Sequence, residues 1–234
     1  MQLGKIKEAQ AISPDYYMVP PIDRRLTVES DRFSELSNMF AQAGNLERAL
    51  EYALRCADIE KQVAGKEHIW YGNSTIIIGN LYYALGDSIN AEENYLINKN
   101  ICKHTYGEYS ERYVDALLSL ASVNTDFSMK DGLDKATRYL DEAYSIAHKR
   151  YPLLEAQIVN QQSVIAFRNK NYEQAKTLMM QALSLCELAK GKTSNNYEIL
   201  LSNTIDLYQM FGQYDEAITL GQDFLEACNQ ANRS

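Results

Sequence analysis

Apolar and small residues recur along this chain at steps of four, three and four: Ala136, Leu140, Ala143, Ala147; Ala175, Met179, Ala182, Cys186; Ala217, Gly221, Phe224, Cys228. Steps of that size draw one stripe along an α-helix, with the polar residues between them turned the other way. The stripes also repeat as blocks. Each follows a short segment of one type, seen in Gly44-Asn45-Leu46-Glu47-Arg48-Ala49, Gly86-Asp87-Ser88-Ile89-Asn90-Ala91, Lys170-Asn171-Tyr172-Glu173-Gln174-Ala175 and Gly212-Gln213-Tyr214-Asp215-Glu216-Ala217. Asp131-Gly132-Leu133-Asp134-Lys135-Ala136 fits after a slip. The five alanines are spaced 42, 45, 39 and 42 residues apart, so a gain of three is followed by a loss of three. Upstream of them Ser37, Gly79, Ala121 and Ser163 keep a period of 42 throughout. This predicts three extra residues in the turn around Phe127 to Gly132 and a compensating loss in the next connection, near Tyr151-Pro152.

Each unit therefore reads as a helix, a tight Gly or Asn turn, a second helix and a short connection. Gly and Asn tolerate the left-handed backbone that ends a helix. Small residues on both helices let their backbones approach where Leu would hold them apart. One such pair cannot bury its apolar face alone, so stacking on neighbours must supply the core. Four prolines and 11 glycines in 234 residues agree with long, rarely interrupted helices.

The repeated segments resemble the tetratricopeptide repeat, whose turn has a Gly-x-Tyr-x-x-Ala-like pattern; the copies at Lys170–Ala175 and Gly212–Ala217 are the best matches. The 42-residue period is similar to the long variant of kinesin light chains and of bacterial multi-repeat proteins. Its Gly-Lys-Glu-His connection is matched by Gly65-Lys66-Glu67-His68-Ile69-Trp70-Tyr71, and more loosely by the segments ending in Tyr113 and Tyr197. The Asn-Asn-Leu-Ala of that variant's first helix is missing, so cargo recognition of the kinesin type does not carry over.

The resemblance implies an all-α, right-handed α-α superhelix of about five helix pairs, with repeats at residues 29–68, 69–110, 111–152, 153–194 and 195–230. Residues 1–28 are set apart, because Pro14, Pro20 and Pro21 stop regular structure. They are read as an N-terminal cap or as a truncated preceding repeat of a longer protein.

Charge narrows the function. Thirty-one acidic against 23 basic residues give a net charge of −8 and no field to gather phosphates, which argues against nucleic acid. Neither an N-terminal apolar run of signal-peptide type nor a membrane-length apolar stretch occurs, which predicts a cytoplasmic chain with no membrane role. No Cys-x-x-Cys or His-Glu-x-x-His occurs, and neither a phosphate-binding Gly loop nor Gly-x-Ser-x-Gly, so no metal, cofactor or catalysis is expected. Cys102, Cys186 and Cys228 share one register and are expected to be reduced and buried.

What remains is binding of a protein or peptide. In the resembled superhelix the first helices line the concave face. Their residues pointing away from the stripe are Asn38, Asn73, Asn80, Tyr83, Asp115, Asn160, Phe167, Arg168, Asp206 and Gln209. Asn38 and Asn80 lie one period apart, as expected of carboxamides that clasp an extended backbone. Tyr83, Phe167 and Arg168 are the residue types that anchor interfaces. The rival readings are inter-helix packing for the aromatics, a regulatory or sensory module of a longer bacterial enzyme or signalling protein, and self-association through exposed ends.

Overall fold

A computed structural model describes residues 24–126 and 131–231. Among these residues it contains ten α-helices and no strand: α1 (Arg24–Gln42), α2 (Leu46–Val63), α3 (Ile69–Ala84), α4 (Ser88–Tyr106), α5 (Glu111–Asp126), α6 (Gly132–Ala147), α7 (Pro152–Arg168), α8 (Tyr172–Lys190), α9 (Asn195–Met210) and α10 (Tyr214–Ala231). They form five consecutive pairs. The first helix already starts at Arg24, inside the segment that the prolines set apart, and the remainder of residues 1–28 lies outside the described residues. So do residues 127–130 of the lengthened turn.

Each of the four described turns within a pair closes in one way. Asn45 N–H donates to Phe40 C=O at 2.9 Å while Gly44 N–H donates to Ala41 C=O at 3.0 Å, the double bond of a Schellman cap. The turns at Gly86, Lys170 and Gly212 repeat both bonds. Such a cap needs a positive φ, which Gly44, Gly86 and Gly212 adopt at 76°, 83° and 70°; Lys170 takes the same place at 62°. The Asn45 and Asp87 side chains then cap the following helix by accepting from the Arg48 and Asn90 amides.

The small residues bring the two helices together. Ala49, Ala91, Ala136 and Ala175 are all 0% exposed, and Ser37, Gly79, Ala121 and Ser163 are buried beside them. Ser37 Oγ donates to the Ala49 carbonyl at 2.9 Å, a contact that a larger side chain would forbid.

The compensating loss lies elsewhere than the connection near Tyr151-Pro152. Residues 148–151 are as many as residues 107–110 and 191–194, whereas α6 has 16 residues against 19 in α4 and in α8. The three residues are missing from the helix itself. Pro152 stands at the first position of α7, where its missing N–H costs nothing.

Two compact units divide between Ala116 and Leu117, within α5. In the first, Ala49, Ala53, Ala57, Ile78 and Leu81 build the core where α1 to α3 meet. In the second, Ala156, Val159, Ala182, Leu183, Cys186, Leu200 and Leu201 join α7, α8 and α9. All four cysteines are free thiols; Cys56, Cys102 and Cys186 are buried. Cys228 departs from the expectation and is only partly buried, because among the described residues no helix follows α10 to cover it.

Candidate functional site

The first helix of each pair presents a polar side that the Ala-rich packing leaves uncovered. In the first unit, Asn38 on α1 and Asn73 and Asn80 on α3 are exposed, Tyr83 is half-buried, and Asp115 near the start of α5 is exposed. Asn38 and Asn80 are not chemically equivalent. Asn80 Oδ1 accepts a 2.9 Å hydrogen bond from the Tyr95 hydroxyl, whereas the residue one period before Tyr95 is Ala53. Tyr95 is itself buried against Gly79, and burial pushes its phenol up to about 12. The Asn80 carboxamide is thus held by its own repeat, its oxygen already engaged once. Desolvation raises the Asp115 carboxyl above the usual range, and the neighbouring Arg112 guanidinium pulls it back.

In the second unit, the first helices α5 and α7 meet through side chains. Arg168 Nη2 lies 3.4 Å from Asp126 Oδ1, and these residues are 42 positions apart, the same place in successive repeats. Nearer the start of both helices, Gln161 Nε2 donates to Ser122 Oγ at 2.9 Å and to the Leu118 carbonyl at 3.4 Å. Gln161 Oε1 and Asn160 Oδ1 are buried and accept no hydrogen bond from the protein. Asp206 and Gln209 on α9 are exposed.

Phe167 is spent on packing. Its ring lies 5.6 Å from that of Tyr172 and 6.1 Å from that of Phe211, over the core of Ala166, Ala175, Met179 and Leu207. Phe40 and Tyr82, three residues beyond the small position of their helices, likewise pack into the core of the first unit.

The residues that sequence reasoning passed over are Asp126, Ser122 and Gln161. Asp126 had a signal, since its charge is opposite to that of Arg168 one period on. Ser122 and Gln161 had none, being 39 residues apart and unremarkable singly. Among the described residues no three His, Cys, Asp or Glu side chains are grouped to hold a metal ion, and no helix is long and apolar enough to cross a membrane.

This arrangement is that of a helical-repeat array. Residues 154–230 and residues 31–69 each match a family model described as tetratricopeptide repeat, and the chain is a tetratricopeptide-repeat protein. Proteins of this class are generally non-catalytic scaffolds for protein interaction. No curated protein matches the sequence.

Solved structures share the fold at low identity. A protein of Podosopora anserina named for kinesin light chain, with nearly identical TPR-like repeats, is 18% identical with a TM-score of 0.64, over 90% of this chain and 97% of that one. The apo form of RapI is 13% identical at 0.61, over 98% and 90%. A thermophilic TPR protein of Thermus thermophilus is 19% identical at 0.54, over 85% and 91%. At these identities the likeness describes the solenoid of helix pairs and no ligand.

Proposed function

We propose that the chain is a scaffold that binds an extended segment of a partner protein along the first helices that meet in the second unit, α7 and the part of α5 that lies there. The observation that carries this reading is the pair of acceptors at Asn160 Oδ1 and Gln161 Oε1. Each carbonyl oxygen has left water without gaining a donor, a cost of about 1–3 kcal/mol apiece. A polypeptide laid along the helices brings backbone N–H groups, the donors these carboxamides lack, and a small turn of each terminal amide meets them. Arg168 and Asp126, side by side and half exposed, offer one charge of each sign to the same segment. No chemical step belongs to this role.

The test is selection of peptides from a random displayed library on the full chain, followed by titration of the enriched peptides. Asn160→Ala combined with Gln161→Ala should weaken them by at least about tenfold, or about 1.4 kcal/mol, with the melting temperature kept. Unchanged affinity would overturn the assignment.

A further inference from the structure

The repeat frame singles out Glu60. It stands at the position that Cys102, Tyr144, Cys186 and Cys228 occupy in the later repeats, each one period on. Cys102 and Cys186 are 4% and 0% exposed, so the frame places a carboxylate where the second and fourth repeats bury a thiol. Glu60 Oε2 is buried and accepts no hydrogen bond. A carboxylate oxygen so placed is costly unless a cation or a further donor joins it.

Beside it lies a cavity of about 220 Å³ within the first unit, lined by Ser30 and Asp31 of α1, Ile59, Glu60 and Val63 of α2, and Trp70 of α3. Asp31 is near enough to act on Glu60: burial first, and then the Asp31 charge, push the Glu60 carboxyl up, against hydrogen bonds from Ser74 and Cys56 that pull it down. The His68 ring meets the indole edge-on at 5.0 Å.

We propose that this cavity receives the guanidinium side chain of an arginine carried by a partner polypeptide. Two carboxylates supply the counter-charge, and one oxygen of Glu60 is buried without a donor. Ile59 and Val63 offer apolar surface for a methylene stem. The indole attracts a cation through its ring face, and a planar guanidinium forks onto carboxylate oxygens in a way that a compact, strongly hydrated ammonium does not. An arginine within a polypeptide brings no α-carboxylate toward these two, so the occupant is taken as a side chain of a chain. This site is independent of the reading of α5 and α7.

Trp70 is the only tryptophan in the sequence, so its emission reports on the cavity directly. The full chain is titrated with N-acetyl-arginine amide. The expected result is a saturable change in Trp70 emission, with no such change for N-acetyl-citrulline amide, which keeps the shape and lacks the charge. Glu60→Gln should weaken the arginine response by at least about tenfold. Asp31→Asn, at an exposed position of α1, should weaken it too and serves should the first variant misfold. Absence of a saturable response, an equal response to the citrulline compound, or unchanged affinity in both variants would overturn the proposal. Tighter binding of free arginine than of the blocked compound would overturn the polypeptide source.

Discussion

Glu155 holds the backbone of Lys149: the Lys149 N–H donates to Glu155 Oε2 at 3.0 Å, while His148 Nδ1 lies 2.8 Å from the other carboxylate oxygen. Both residues break the repeat frame at the same connection. Lys149, at φ 60°, stands where Gly65, Gly107 and Gly191 stand in the other connections, and Glu155 stands where Tyr71, Tyr113 and Tyr197 stand. Lys61 and Lys103 each sit 5.7 Å from the ring centroid of the next Tyr of that column, Tyr71 and Tyr113, so two connections are held by a cation over a ring. The connection after α6 is held by a buried carboxylate instead, 5% exposed. Glu155→Ala leaves that amide without an acceptor and should cost about 1–3 kcal/mol in chemical denaturation. Because the bond is to backbone, Lys149→Gly keeps it, and a double-mutant cycle of the two substitutions should show little coupling. Strong coupling between them would mean that the lysine side chain, not its amide, is what Glu155 holds.

Lys170 is the second lysine in a glycine place, at φ 62° inside a Schellman cap. A side chain there strains against the carbonyl at about 1–2 kcal/mol, and the added freedom of glycine in the unfolded chain takes back about 0.5–1. Lys170→Gly should therefore raise stability by about 0.5–1 kcal/mol, seen as a higher melting temperature. A lower one would show that the exposed lysine makes a favourable contact that outweighs the strain.

The same frame explains what could be read from the chain before folding. The alanine column, the small column and the turns were visible because packing two helices closely permits few residue types at those places. The column Tyr71, Tyr113, Tyr197 was visible too, yet its fourth member, Glu155, is an exception that its bonds to Lys149 and His148 account for. A missing triplet was evident from the alanine spacings, but a shortened helix and a shortened connection look alike in sequence, and Pro152 drew the deletion toward the connection. The candidate site was less legible. Phe167 meets Phe211 only once the next turn is stacked upon it, and Asn80 meets Tyr95 only across its own helix pair.

Ala91 is 0% exposed at the contact of α3 with α4. Ala91→Glu would drive a carboxylate between the two packed helices, costing about 3 kcal/mol or more. A variant that melts like the parent would show that the alanine column does not mark the helix contact.

Stability should fall in alkaline solution through Tyr95. Its phenol is pushed up to about 12 by burial, against an ordinary 10.0, so the folded state binds the proton more tightly than the unfolded state. The stabilisation is whole below pH 10, declines as the pH rises above it, and is lost through about pH 12, for a difference of about 2–3 kcal/mol. Tyr95→Phe removes this ionisation. Its denaturation midpoint should fall less steeply between pH 10 and 12 than that of the wild type, although it starts lower through loss of the bond to Asn80. Parallel curves would show that Tyr95 does not resist ionisation in the fold.

Gly79 sets two effects against each other. Alanine is the better helix former by about 0.8–1 kcal/mol, so the substitution would stabilise an isolated α3. In the folded chain the new methyl would lie 2.5 Å from Tyr95 Cε1 and 2.7 Å from Cδ1. That ring cannot swing aside cheaply, because it is buried and its hydroxyl is bonded to Asn80. Overpacking of this kind costs about 1–3 kcal/mol, so it outweighs the propensity, and Gly79→Ala should lower the melting temperature. With Tyr95→Ala in the same chain the obstacle is gone and the sign should reverse, Gly79→Ala becoming stabilising relative to the Tyr95→Ala parent. If Gly79→Ala destabilises both backgrounds equally, the contact with Tyr95 is not the reason for glycine at this position, and close approach of the α4 backbone would have to be.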